Sequence, residues 1–473
     1  IGVVQEGEDN RIVLKSNDTL TKNSFAFNQM KAYINNGDTS QTFFQAEYRK
    51  RIDYNAQLNE IKEATEADEA SVGVRLQKNP NSRLSISALY RDLKIKDDRI
   101  VSSTLSDNTA LGRVEYSFKA FKGVIQSNSF YQVGTGQEQK KEFTYVEVPT
   151  GQGIYTWTDY NSNGIQELNE FDVANFSDQA NFVRVFTPTN EFINTRSNQF
   201  NSVVTLNPSA LGELNKLKLI KKFNNQFAIR LDNKSVEQDL LDALNPIFTD
   251  VKDSSLITAN TSIRNTIFFN RTNQVFGIDY TVQEVRNKTE LVNGYELRTR
   301  KSMILNSRIN AGKVITINMK LESGNNVSDS EFFTGRDFDV EYYLIFPKLS
   351  FQRGRNFRVS FTYELKEQKN IIGDVGEKAT QNDLGVEIKF SSVSKGIITA
   401  RFNYIDIDYN DSVNTPIAYE ILQGLNIGQN LKWNLSVLKN LSKTMQVNLN
   451  YDGRDTGGDN IIHTGSVQVR AFF

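Results

Sequence analysis

The chain has 473 residues, with 55 Lys+Arg against 56 Asp+Glu, a net charge of -1, no cysteine and a single histidine. These counts exclude disulfides, thiol catalysis and cysteine-ligated metal. They leave almost no material for histidine-based sites and argue against a nucleic-acid partner. Mean hydropathy is -0.47, and no apolar run approaches the roughly eighteen residues of a spanning helix. A membrane barrel stays open, because its strands spend every second residue on a polar lumen, and 31 Phe with 18 Tyr could furnish its aromatic girdles. No signal peptide is visible, and the abrupt start at Ile1 reads as a mature or truncated chain.

Taken in order, proline is scarce and helical periodicity is nearly absent, so the sequence predicts one strand after another from residue 11 to the end. Residues 1–24 are patterned most weakly, with a first strand placed at 11–16. Further strands are expected at 25–34, 41–52, 70–77, 82–95, 108–120 and 122–132. The acidic run 53–69, also compatible with a short helix, is taken as a solvated face. Residues 1–132 thus form an N-terminal set of barrel strands. Residues 133–196 form an extracellular loop insertion, and residues 197–473 the C-terminal barrel strands.

The period-two pattern is clearest in that last part. Phe357, Val359, Phe361, Tyr363 and Leu365 alternate with Arg358, Ser360, Thr362, Glu364 and Lys366. Leu384, Val386, Ile388 and Phe390 alternate with Asp383, Glu387 and Lys389, and Ile398, Ala400, Phe402 and Tyr404 with Thr399, Arg401 and Asn403. Leu431, Trp433, Leu435 and Val437 alternate with Lys432, Asn434 and Ser436, and Met445, Val447, Leu449 and Tyr451 with Gln446, Asn448, Asn450 and Asp452. The final ten residues, TGSVQVRAFF, put Val467, Val469, Ala471 and Phe473 on one face. A last strand closing on an aromatic residue looks like the assembly signal of bacterial outer-membrane barrels. A large soluble β-sandwich also alternates, but its strands average shorter, and its solvent faces need no such regular ladder of charges.

Connections sort in the same direction. Counted back from the end, 453–463, 407–428, 367–382, 322–336, 285–294 and 233–258 are long. Between them, 441–443, 391–395, 310–312 and 270–273 are short, 347–356 is medium, and 207–221 breaks the pattern. Short periplasmic turns opposite long extracellular loops are the habit of outer-membrane barrels. The expected fold is therefore all-β, a transmembrane antiparallel β-barrel of about 20 strands. Both termini are expected in the periplasm and the loop 133–196 outside the cell.

That loop holds the sharpest motif. DYNSNGIQELNE, Asp159 to Glu170, fits D-x-[DN]-x-[DN]-G-x5-E without a mismatch. Asp159, Asn161 and Asn163 offer alternate oxygens to a calcium ion. Gly164 permits the sharp turn, Ile165 offers its carbonyl, Glu167 can act directly or through water, and Glu170 closes the shell with two oxygens. Gln166 stands where an apolar residue is usual, and the flanks do not read as two long helices. The alternative is an Asn/Gly-rich turn with no ion. His463 shares the parity of Val467 and Phe473, away from the lumen, which speaks against a Ser–His esterase. No catalytic residue is assigned and no enzyme is expected. Lumen charges such as Arg358, Glu364, Glu387, Lys389, Arg401 and Arg470 are mixed in sign, which reads as a hydrogen-bonded wall before a selective channel.

The segments GLNIGQNLKWNLSV from Gly424, NYDGR from Asn450 and IHTGSVQVRAFF from Ile462 resemble the ending of large outer-membrane β-barrel proteins of the Bacteroidota. So does GQGIYTWTDYNSNGIQELNEFDVANFSDQANFVRVFTPTN from Gly151. Those relatives look longer than this chain, with more β-rich sequence upstream. The resemblance implies an outer membrane and a calcium-dependent surface loop, and fixes location better than activity. Two functions follow as expectations: a partner-binding component of a surface export, assembly or transport complex, or a stand-alone porin or uptake channel. Either would have outer-membrane lipid as a partner, and the first also protein partners at the loops or lumen.

Overall fold

A computed structural model describes the protein except for residues 15–18, 22, 38–40, 58–59, 97–106, 213–217, 237–254, 292–293, 332, 374–375, 393–395, 443, 459–460 and 473. Phe473, the expected terminal aromatic, thus lies outside the described residues. Among those described, twenty strands run for nine residues or more. Every resolved register is antiparallel. The fold is all-β and belongs to the transmembrane antiparallel β-barrel class. The chain divides into two compact units: residues 1–140, 190–213 and 227–262 in the first, and 141–189, 214–226 and 263–473 in the second.

The first unit begins with Gly2–Asn10 paired to Phe25–Asn35. A first strand at 11–16 is therefore incorrect: Val13–Leu14 instead makes a two-residue pairing with Thr19–Leu20. In the acidic run, residues 53–57 and 60–69 are strand and not helix. These residues continue the strands Thr42–Gln57 and Glu60–Asn79, which pair with a register shift between Asp53 and Tyr54. The reason is pairing across the ladder. Glu69 meets Arg49 at 3.1 Å, Glu66 takes both Lys50 and Lys96, and Lys31 reaches Glu47 at 2.8 Å. Opposed charges paired across neighbouring strands on both sheet faces support the strand that a bare charge run would disfavour.

In the second unit, ten strands from Phe276–Leu291 to Ile462–Ala471 are laid down in sequence order. Their two faces differ sharply. On one, Tyr343, Ile345, Leu349, Phe351, Phe361 and Phe402 stand exposed, as do Val467 and Val469 near the end. On the other, hydrogen bonds join strand to strand: Ser350 to Ser360 at 2.9 Å, Tyr342 to Glu322 at 2.7 Å, and Glu387 to Arg358 and Arg401 at 3.0 and 2.7 Å.

Several segments expected as loops are strand. Ile315–Ser330 runs well past residue 321, and Phe357–Asn370 and Lys378–Ser392 absorb most of 367–382. The strands flanking the large insertion likewise reach Glu147 and restart at Phe182, leaving 148–181 between them. Beyond the apolar band both sides of a strand are polar, so alternation vanishes while the backbone ladder continues.

The connection 410–427 carries a helix the sequence did not announce, α1 (Pro416–Leu422). Thr415 caps it by accepting from the Ala418 N–H at 3.1 Å, Pro416 opens it, and Gln423 ends it in the left-handed conformation. Ala418, Ile421 and Leu422 bury themselves with Phe338, Val340, Ile405 and Ile407, which share the face of the polar rungs. The covered side of this sheet is therefore the polar one, and the bare side carries a broad apolar band, the reverse of a water-soluble sheet.

Candidate functional site

Residues 148–181, with α1, form the most constructed feature on that covered face. Two short strands, Tyr155–Trp157 and Phe171–Val173, pair antiparallel and bring the two ends of the DYNSNGIQELNE turn together. Phe171 is buried, stacked on Tyr145 at 4.0 Å and edge-on to Phe182 at 5.0 Å, so the loop has an aromatic root.

Within the turn, the Asp159 carboxylate accepts the N–H groups of Asn163 and Gly164 at 3.1 and 2.8 Å. Asn161 Oδ1 accepts from the same Asn163 N–H at 3.0 Å, and Asn163 Oδ1 accepts from Ile165 N–H at 2.6 Å. Ser162 and Gly164 take positive φ, 59° and 70°, and reverse the chain; glycine does so without strain. Asn161 also donates to Glu167 at 2.7 Å. The structure thus brings Asp159, Asn161, Asn163 and Glu167 into one bonded turn, with Ile165 exposed beside them. Among the described residues no hydrogen bond joins Glu170 to Asp159, Asn161 or Asn163. Glu170 is 1% exposed and accepts from Trp157 Nε1 at 2.9 Å and Tyr160 N–H at 3.2 Å. Its hydrogen-bond donors are neutral N–H groups, and among the described residues no basic side chain pairs with it.

Two arginines, neither singled out by the sequence, fasten the rest. Arg336 donates to the carbonyls of Asn169 and Phe171 at 2.9 and 2.8 Å and pairs with Asp172. Tyr160 donates to the same Asp172. Burial first, then the neighbouring carboxylate, push the Tyr160 hydroxyl far above the usual phenol range. Further along, Arg454 forks onto Asp178, one limb at 2.6 Å, and lies 3.9 Å over the ring of Phe176. Tyr419 of α1 accepts from Asn175 N–H at 3.2 Å, and Asn414 donates to the Asp159 carbonyl at 3.3 Å. Gly424, at φ 71°, lets the chain after α1 approach Phe176, where a Cβ would meet the ring at 3.1 Å. Under the tip 175–178 lies a cavity of about 380 Å³ walled by Arg401, Asn403, Lys432, Asn434, Asp452 and Arg454.

His463 sits on the bare face with Trp433 and Tyr451, whose hydroxyl lies 2.9 Å from His463 Nδ1. That grouping of amphipathic rings suits a membrane–water boundary.

No protein-family model matches the chain, and no curated protein matches it. Solved structures similar to it include the siderophore receptor PirA from Pseudomonas aeruginosa, at 8% identity and TM-score 0.42, covering 100% of this chain and 73% of that one. The ferric-catecholate import receptor Fiu from E. coli K12, closed form, is 10% identical with TM-score 0.39, covering 100% and 77%. The ferric yersiniabactin uptake receptor FyuA from Yersinia pestis is 8% identical with TM-score 0.36, covering 99% and 71%. Likeness this distant establishes neither ligand nor activity.

Proposed function

We propose that this chain is an outer-membrane β-barrel acting as a partner-binding component of a surface export, assembly or transport complex, without catalysis of its own. The observation that carries the reading is the inversion of faces. Exposed Leu349, Phe361, Phe402 and Val469 need an apolar solvent, and outer-membrane lipid is the solvent that antiparallel strands of this kind meet. The loop end, with residues 148–181 and α1, would lie outside the cell and the short turns in the periplasm. Clamped by Arg336 and Arg454, this loop is a fixed surface, and a fixed surface suits recognition of a protein partner better than passage of solutes.

A structural calcium ion belongs to the same reading. Asp159, Asn161, Asn163, Glu167 and Glu170, with the Ile165 carbonyl, would hold it. The buried Glu170 carboxylate lacking a cation is the feature that fits. When bound, the ion would neutralise that carboxylate and tie the turn to the Phe171–Val173 strand. With three acidic ligands, the site would suit the millimolar calcium outside cells, where dissociation constants of about 10⁻⁴–10⁻³ M suffice.

Reconstitution into planar bilayers tests the proposal against a stand-alone porin. A clamped, partner-dependent barrel gives no steady conductance alone, and conductance appears when the clamp is cut at Arg454. A large steady pore from the unmodified protein would replace this reading with the channel.

A further inference from the structure

We propose that the polar face of the second unit carries, near its short turns, a binding site for a small multivalent anion of the phosphate or carboxylate class. A cavity of about 470 Å³ opens there, and Arg271, Arg308, Lys320 and Lys348 line it with a single acid, Asp279. The register places Arg308, Asn318 and Lys348 in one row across three neighbouring strands, and Asn306 with Lys320 in the next row. With strands about 4.8 Å apart, Arg308 and Lys348 flank a space of roughly two strand widths, the size of a di- or triphosphate or a tricarboxylate.

The cations keep donor capacity beyond their contacts within the protein. Asp279 already accepts from Asn306 at 2.8 Å. Arg308 uses one limb on the Asn273 carbonyl at 2.6 Å, while its buried Nε–H has no acceptor. Arg271 lies over the Phe268 ring at 4.3 Å and has no acidic partner among the described residues. Lys348 stands 4.0 Å from Glu387, which Arg358 and Arg401 already hold at 3.0 and 2.7 Å. Only Lys320 has a close acid, Glu322 at 2.6 Å, and that carboxylate also meets Arg300. Cations thus outnumber acids in a half-enclosed space.

Ile309, Ile317 and Leu349, one residue from Arg308, Asn318 and Lys348, belong to the exposed apolar face. The basic side chains therefore stand on the opposite, polar side, where lumen-facing charges tune what a barrel admits or holds. Guanidinium forks beside ammonium groups and amide donors are the chemistry that recognises planar carboxylates and phosphates.

Titration calorimetry on the full chain in detergent tests the site, with pyrophosphate and citrate as separate probes and glucose as the uncharged control. Saturable binding of either anion is expected, weakening as sodium chloride rises. Binding of pyrophosphate alone assigns the phosphate class, and binding of citrate alone the carboxylate class. In Arg271→Gln/Arg308→Gln the affinity should fall about tenfold or more. Lys348→Gln, which leaves the Arg308 bond to its turn intact, should weaken binding in the same direction, and Arg308→Lys should retain part of it. Heat-modifiable gel mobility confirms that each variant is folded. If the double variant does not fold, Lys348→Gln decides. Absence of binding by both anions, or affinity unchanged in the folded variants, overturns the proposal.

Discussion

Arg454 pairs with Asp178 and, two residues away in the same loop, covers the face of Phe176 at 3.9 Å. One side chain therefore fixes the tip of residues 148–181 both electrostatically and by cation–π contact. At 7% exposure, Arg454 cannot be left unpaired cheaply.

Removing one partner of that pair should therefore free the tip. Arg454→Ala or Asp178→Ala is expected to cost about 3–5 kcal/mol of local stability, because each strands a poorly solvated charge. Limited proteolysis would then cut within 148–181 while the strands stay protected. The double variant should be less damaged than the sum of the singles. Additive effects would show that the tip is held elsewhere.

Calcium should act through Glu170. Chelator on the unmodified protein, or Glu170→Gln, is expected to loosen the loop to protease without unfolding the strands. It should also shift the emission of Trp157, which donates to Glu170 at 2.9 Å. A Trp433→Phe background isolates that signal, since the chain has two tryptophans. No response of either readout to chelator would mean that the turn holds itself by its Asn and Asp bonds alone.

Tyr160 makes the loop sensitive to alkali. Its hydroxyl titrates above the ordinary value because it is buried against Asp172. A raised folded value gives stability that is complete below the free phenol range of about 10 and declines as pH rises through and beyond it. Protease susceptibility of residues 148–181 should rise above about pH 10, by up to about 1.4 kcal/mol of lost stability per unit. Tyr160→Phe should flatten that dependence. An unchanged profile in the variant would place the alkaline response on other groups.

Much of the fold was legible because lipid writes a simple rule. Wherever strands cross an apolar layer, Val, Leu and Phe recur at every second position, and the strands expected at 357–366, 383–390 and 396–406 exist, although they extend to Asn370, over Lys378–Ser392 and to Tyr409. The same rule explains the failures. Past Leu321 the strand reads ESGNNVSDS, polar on both sides, so its continuation to Ser330 left no periodic trace. α1 is only seven residues long, too short for a helical period to rise above its surroundings. Of the site, the turn Asp159–Gly164 followed from Asx chemistry local in sequence. Arg336 and Arg454 did not, since their partners lie 164 and 276 residues away. Arg271 fell in the expected turn 270–273 and Arg308 in the expected strand 295–309, and neither stood out until the register set Arg308 in one row with Asn318 and Lys348.

The faces of the sheet should tolerate charge unequally. Phe361→Arg is expected to cost roughly 2–4 kcal/mol in membrane-folding titrations, and Thr362→Arg, on the polar side, far less. Comparable penalties would imply that both faces meet the same solvent.

The most direct measurement replaces the same two positions with tryptophan, one at a time, in a chain reconstituted with brominated lipid. Phe361→Trp should be strongly quenched and Thr362→Trp nearly unquenched, because only the first would touch acyl chains. Equal quenching at both positions, or none at Phe361→Trp, would contradict the claim that the bare apolar face of this sheet is the lipid face of an outer-membrane barrel.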